Sequence, residues 1–388
     1  MTRGIIINGM VLLNKEFIKT SILIEEGTIR AIGNVELSEV NKDYKVIDAK
    51  DKMIVPGFID IHTHGGNGID VNHATVEELH ALSNFYATKG VTAYLPTLLT
   101  DEQDTMCEIL ERIAIAKDEQ IIGATILGTH MEGPFLNVKF KGAMPGHLIQ
   151  QSSIEHLKAY EKASRDTIKY MTVSVENEGI EDLIKYATSK NIVISLGHTG
   201  GDYSSCMTCI AAGAKSATHL FNAMEPIHQR NPSIIGAALE SDIYTELICD
   251  GLHVHPGIVR LVIKTKGMDK VIGVTDSIMA AGLQDGMYKL GVNDVVVKNG
   301  DAKLVSGDTR AGSTLTMDQA IRKIMEFTNK PIEQCIELIT KNPATLLNIQ
   351  DKKGEIAVGK DADLVFLDKD YRVVKTLVKG KIVYERLN

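Results

Sequence analysis

The feature that most constrains this chain is an alternation of two periodicities. Eight apolar, β-prone runs occupy Met53–Ile61, Val91–Thr97, Ile121–Thr129, Tyr170–Val175, Ile192–Leu196, Ser216–Thr218, Glu246–Cys249 and Lys270–Val274. Each is followed by apolar residues at helical spacing, in 76–88, 102–116, 154–163, 180–189, 203–212, 257–266 and 315–328, with a weaker helix at 233–240 after the sixth run. Eight β-then-α units over about 280 residues predict an α/β fold of the (β/α)8, TIM-like barrel kind. A doubly wound open sheet uses the same alternation, but no Gly-x-Gly-x-x-Gly follows the first strand.

The two ends have another texture. Short β-branched pieces broken by Asn-Gly, Glu-Gly and Lys-Gly turns fill 1–54 and 351–388. Neither end is large enough to fold alone, so they are expected to pair into one small β-sandwich, leaving 55–350 for the barrel. A hairpin-like stretch at 288–305 fits neither unit by pattern alone.

Composition narrows the partners. Among 388 residues, 42 Lys and Arg stand against 50 Asp and Glu, a net charge of −8. That balance argues against nucleic acid and membrane surfaces as partners and leaves room for a small anionic ligand. Five cysteines, an odd number, suggest no disulfide framework. Cys206 and Cys209 have C-x-x-C spacing inside a helical segment and are expected to be half-buried thiols. The N-terminal stretch lacks the long apolar segment of a signal peptide, and no run approaches the length of a membrane span. A cytoplasmic setting is therefore expected.

Chemistry collects at the ends of the strands, where barrel enzymes carry it. Strand one ends Asp60-Ile61-His62-Thr63-His64, and strand alternation puts His62 and His64 on one face, able to reach one metal ion. Strand three ends His130-Met131-Glu132, strand five Gly197-His198, strand six Thr218-His219, strand seven Asp250-Gly251-Leu252-His253 and strand eight Thr275-Asp276. His73, His80 and His156 fall in loop or helix segments and are expected to be solvated. Imidazoles with a carboxylate suit a divalent zinc, iron, manganese or cobalt ion better than magnesium or calcium. Such an ion acidifies water and polarises a carbonyl, and Asp276 is placed as the base. The expected chemistry is hydrolysis of an amide or related C–N bond.

These residues also carry a resemblance. Pro56-Gly57-Phe58-Ile59-Asp60-Ile61-His62-Thr63-His64-Gly65 and the tail Gly359-Lys360-Asp361-Ala362-Asp363 resemble motifs of the amidohydrolase superfamily. His130-Met-Glu132-Gly-Pro-Phe135, Thr218-His219-Leu-Phe-Asn222-Ala223-Met224 and Ala311-Gly312-Ser313-Thr314 resemble its N-acetylglucosamine-6-phosphate deacetylase family. The resemblance implies Glu132, His198 and His219 as metal ligands, His62 and His64 as ligands of a second ion, and one or two ions per subunit. It implies Asp276 as catalytic acid/base. Ala143, Asn222, Ala223 and His253 would meet an amino-sugar phosphate, and Arg230 would reach its phosphate across a homodimer interface.

One departure stands out: after Lys141-Gly142-Ala143 the family often places a polar residue, and this chain has Met144, which donates no hydrogen bond. Either His147 takes over that contact, or the contact is dispensable, or the sugar preference shifts toward the galactosamine epimer. Two other readings compete. A cyclic-amide hydrolase would carry a carbamylated lysine at the end of strand four, where this chain has Val173-Ser174-Val175-Glu176 with Lys169 at the strand's entrance. A non-catalytic scaffold would have lost ligands or base, and all are present.

Overall fold

The computed structural model of the chain describes residues 3–33, 44–119 and 122–386. Its central strands are β1 (Phe58–Thr63), β2 (Val91–Leu99), β3 (Thr129–Glu132), β4 (Ile168–Val173), β5 (Val193–Leu196), β6 (Ser216–Ala217), β7 (Tyr244–Ile248) and β8 (Val271–Val274). Each pairs in parallel with the next in chain order. The ring closes where Asp276 N donates to His62 O at 2.9 Å and Thr63 bridges Ser277. Every residue of β1, β2, β3, β5 and β8 is buried. Helices cover the outside and side chains fill the inside, which is why these runs read as continuous apolar stretches.

The covering helices are α1 (Val76–Thr88), α2 (Gln103–Asp118), α3 (Ile154–Ala163), α4 (Ile180–Ser189), α5 (Tyr203–Ala212), α6 (Ser233–Glu240), α7 (Pro256–Lys266) and α8 (Met317–Thr328). Several start on local chemistry: Thr75 and Glu78 close a capping box on α1, Asp202 caps α5, and Pro256 opens α7. The expected third strand forms as two pieces, Thr125–Ile126 against β2 and then β3; its expected first residue, Ile121, lies outside the described residues.

The chain ends build one eight-stranded sheet. Its path runs Lys381–Glu385, Val373–Val378, Leu364–Leu367, Met53–Pro56, Arg3–Leu13, Glu16–Glu25 and Thr28–Gly33, with Lys45–Asp48 also on Arg3–Leu13. The sheet curls so that Ile22, Ile29, Ile54, Phe366 and Leu377 share one core. Its far parts meet where Ile29 N donates to Lys360 O and Ala362 N to Gly27 O. Residues 1–2, 34–43 and 387–388, grouped with the ends by sequence, lie outside the described residues.

Met53–Ile61, expected as one strand, is two. Met53–Pro56 pairs with Leu364–Leu367 in the terminal sheet, and Gly57 passes the chain into β1. A Cβ at Gly57 would lie 2.1 Å from Thr92 Oγ1, so the crossing requires glycine. The terminal sheet is thereby fixed to the N-terminal end of β1, opposite the end that carries the polar residues. The stretch 288–305 belongs to an antiparallel meander, Gly286–Leu290, Asn293–Lys298 and Asp301–Leu304. It joins the barrel rim: Gly291 N donates to Asp70 Oδ2 and Asn293 Nδ2 to Ala143 O, both at 2.9 Å. Leu290, Val295 and Val297 pack with Leu99, Leu136 and Met144 beneath it.

The aspartates of the tail motif hold a buried lysine. Lys353 Nζ lies 2.6 Å from Asp363 Oδ2 and 2.8 Å from Asp361 Oδ2. Asp363 also accepts from Gly57 N through its carbonyl and from Lys379 N through its carboxylate. Burial alone would lower the Lys353 pKa, but Asp363 and Asp361 outweigh it and hold the ammonium above the usual lysine value. A folded-state pKa raised above the unfolded one gives stability that is complete below the unfolded value and is lost as pH rises through the folded one. Lys353→Ala is therefore expected to cost about 3–5 kcal/mol, the range for breaking a buried pair. Denaturant midpoints should show a gap from the parent that is constant across neutral pH and narrows only in strong alkali.

Candidate active site

The strand ends bring five expected side chains together around one carboxylate. Glu132 Oε1 lies 3.0 Å from His219 Nε2, 3.1 Å from His198 Nε2 and 3.4 Å from His62 Nε2, while Oε2 lies 3.2 Å from His64 Nε2. Asp276 Oδ1 is 3.1 Å from His64 Nε2 and 3.6 Å from His62 Nε2. All six residues are buried. Two overlapping groups result, His62–His64–Glu132 and Glu132–His198–His219, each with ligand atoms close enough for one ion.

The far nitrogens fix how the rings face. His64 Nδ1 lies 3.1 Å from Thr97 O, His198 Nδ1 2.8 Å from Phe140 O and His62 Nδ1 3.0 Å from Glu246 Oε2. A carbonyl or carboxylate takes the Nδ1 proton, so the Nε2 lone pair turns inward in the neutral ring. His198 Nε2 and His219 Nε2 approach to 3.2 Å, a separation that brings two lone pairs together. His62 Nε2 is buried with no hydrogen-bond partner among the described residues. Ligands about 2.1 Å from a tetrahedral ion stand about 3.4 Å apart, which matches this spacing.

The electrostatics agree with that fit. Burial alone would raise the carboxyls of Glu132 and Asp276, but the surrounding imidazoles, His62 foremost, hold both below their usual range. Burial alone would lower the imidazoles, yet Glu132, Asp276 and Glu246 hold His62 well above its usual value, and Asp276 and Glu132 bring His64 to about 9. The cluster attracts positive charge, and a divalent ion answers that demand with the ligand types present.

Several site residues have left-handed backbone: His198 (φ 49°), His219 (φ 29°), Phe221 (φ 80°), Ala223 (φ 50°) and Asp276 (φ 49°). Such conformations cost about 1–3 kcal/mol each and persist where surroundings over-determine them. Here Asn137 N bonds His198 O, Thr199 N bonds Ala223 O, and Ser313 N bonds Asp276 O. Asn222 Nδ2 also donates to His219 O at 3.0 Å.

A cavity of about 340 Å³ opens above the cluster, lined by Glu132, His198, His219 and Asp276 together with Ala143, Met144, Asn222, Ala223 and His253. Gly142, in the left-handed region, crosses close over His198: a Cβ there would lie 3.2 Å from its Cε1. His253 is held by Asp250, with Nδ1 2.6 Å from Oδ2. His147 is not part of this lining. It sits exposed on a 3-10 turn, Gly146–Leu148, while Met144 is drawn into the apolar cluster under the rim meander. Arg230 is also exposed and outside the lining, in the loop between β6 and α6.

His130, another strand-end histidine, belongs to neither ligand group: its ring packs edge-on against His62 and is bonded to the Thr172 and Thr97 hydroxyls. Burial, with His62 nearby, pushes its pKa well below the usual value. Cys206 and Cys209 are buried more fully than expected, and burial drives both thiols up, Cys209 to about 12. His73 is exposed, while His80 and His156 are partly buried. Glu246, Tyr170 and Arg310 were not anticipated as part of the site. A lone carboxylate inside the apolar run Glu246–Cys249 was the available signal for the first. Arg310 reaches the cavity only through the loop after the meander, paired with Asp301 at 2.8 and 3.1 Å.

The pattern described by the fold and cluster is matched by a model of the amidohydrolase family over residues 53–383, and the chain belongs to that family. Its relatives then narrow the class. It is 38% identical to the N-acetylglucosamine-6-phosphate deacetylase of Bacillus subtilis (strain 168), over 86% of this chain and 85% of the relative. A crystal structure of N-acetylglucosamine-6-phosphate deacetylase from Pasteurella multocida superposes with a TM-score of 0.91 at 30% identity, covering 98% of this chain and 99% of the other. The N-acetylgalactosamine-6-phosphate deacetylase of Escherichia coli O157:H7 is 31% identical over 92% of this chain and 93% of its own length.

Because Glu132 is shared by both ligand groups, Glu132→Gln is expected to lose bound metal at both, by elemental analysis after dialysis. His62→Ala should remove only the ion of the His62–His64 group. A Glu132→Gln protein that keeps the parent's metal content would show that the carboxylate is not a shared ligand.

Proposed function

We propose that the chain hydrolyses the acetamide of N-acetyl-D-glucosamine 6-phosphate, with water, to D-glucosamine 6-phosphate and acetate, as a step of amino-sugar catabolism. The observation that carries this reading is the convergence of Asp276 and both His/Glu groups on one cavity. Relatives of the same architecture bear that activity in their names.

Glu132, His198 and His219 would hold one divalent ion, and His62 and His64 a second alongside Glu132. Zinc is the first choice for these ligands, with iron, manganese and cobalt as alternatives. An ion bound there polarises the acetamide carbonyl and lowers the pKa of water toward 7. Asp276, kept ionised beside His64, accepts the proton of the attacking water as the new C–O bond forms. It returns that proton to the amine nitrogen as the C–N bond breaks. Asn222, the Ala223 backbone and His253 would orient the sugar phosphate along the cavity wall, with Ala143 and Met144 forming its apolar side. His147, exposed on its turn, has no part in this arrangement.

Arg230 would act in a partner's cavity within a homodimer, a role supported by its exposure and its absence from the lining of its own. We place the enzyme in the cytoplasm, which suits five free cysteines. Among the described residues no helix is long and apolar enough to cross a membrane.

Acetate release from N-acetylglucosamine 6-phosphate by metal-loaded protein tests the reading, with the galactosamine epimer run in parallel. No release from either would sink it. Asp276→Asn is expected to lower kcat by about 10²-fold or more with KM and metal content kept. Arg230→Ala should raise KM for the phosphorylated sugar far more than for the free sugar. Mixing Arg230→Ala with Asp276→Asn chains should then recover part of the activity, because a hybrid dimer carries one intact site. No recovery would place Arg230 at its own subunit's site.

A further inference from the structure

Glu246 is a fully buried carboxylate in the middle of β7, and the reaction outlined above makes no use of it. Burying a charge is costly unless hydrogen bonds satisfy it. Three donors surround this one. His62 Nδ1 lies 3.0 Å from Oε2, His219 N donates to the same oxygen at 3.1 Å, and Tyr170 OH donates to Oε1 at 2.6 Å. Two of these three belong to metal-ligand residues of different groups. The His62 contact fixes which nitrogen carries the proton and turns Nε2 toward Glu132 and Asp276. The His219 contact is to the backbone, at a residue whose φ of 29° puts it in a strained region. Tyr170 in turn packs edge-on against the His130 ring, which packs edge-on against His62, so the carboxylate has little freedom to turn away.

We infer that Glu246, seated by Tyr170, is a positioning residue that sets the ring state of His62 and the backbone of His219 together, coupling the two metal-ligand groups. The inference rests on the reading of those groups as metal ligands and assigns Glu246 no contact with substrate. An amide at this position keeps the shape but replaces one acceptor oxygen with an N–H group, and loses the charge. It cannot accept from all three donors at once.

The test is metal binding, apart from turnover. Apo protein is titrated with zinc against a chromophoric chelator in the parent, His62→Ala, Glu246→Gln and Tyr170→Phe forms, with thermal unfolding of each apo form. The expected result is that the ion lost in His62→Ala binds about 10- to 100-fold more weakly in Glu246→Gln, the usual penalty for losing such a supporting partner. The ion at Glu132–His198–His219 should weaken less, being reached through a backbone contact. Tyr170→Phe removes one hydrogen bond and leaves the carboxylate, so it should shift the same ion in the same direction by a smaller factor. It also serves if Glu246→Gln fails to fold. Cobalt-substituted protein should show an altered visible spectrum in Glu246→Gln. Unchanged affinities in whichever of the two variants folds would overturn the inference while leaving the metal site standing. Parent protein that binds no zinc would overturn both.

Discussion

One buried carboxylate, shared among four imidazoles, governs the working end of this protein. Glu132 at the end of β3 meets His219 and His198 on one side and His62 and His64 on the other, at 3.0–3.4 Å. Such a group is expensive to remove from water. It stays ionised because cationic character surrounds it, and neighbouring Asp276 stays ionised for the same reason. A site of this kind must be assembled from several strands, since no single element can bring so many like groups to one point. The closed barrel does so by ending its strands around one mouth.

The rest of the structure serves that requirement. Non-glycine residues in left-handed conformations cluster at the ends of β5, β6 and β8, and backbone hydrogen bonds from neighbouring strand ends and rim loops restrain them. Inside the barrel, Glu246, Tyr170, His130 and the hydroxyls of Thr172, Thr218 and Ser195 form a hydrogen-bonded layer beneath the site. Networks of this sort rigidify a core when their members are satisfied. The terminal sheet attaches at the opposite end of β1, through Gly57, Asp363 and Lys353, and leaves the mouth to the loops and the rim meander.

Much of this was legible in the chain. Alternating periodicity revealed the barrel because parallel strands buried on both faces must be continuously apolar, and their helices must be amphipathic. The residues of the candidate site were legible because they interrupt apolar runs at their C-terminal ends. Less legible was anything set by contacts distant in sequence. Met53–Ile61 reads as one strand, and only pairing with Leu364–Leu367 shows that its first part serves another sheet. His147 is near Met144 in sequence, but its turn carries it to the surface. Glu246 opens an ordinary strand run in the sequence, and only its contact with His62 joins it to the site.

The sequence by itself determined the fold class, the family and the candidate ligand types, because periodicity and motif spacing are local properties that survive in one dimension. Only the tertiary structure decided which groups share Glu132 and which strand-end histidine, His130, belongs to neither candidate ligand group. It also placed the meander at the rim and left His147 and Arg230 outside the lining of the cavity. Those outcomes depend on strand register and barrel closure, which bring residues more than a hundred positions apart within hydrogen-bonding distance, and no local pattern records such encounters.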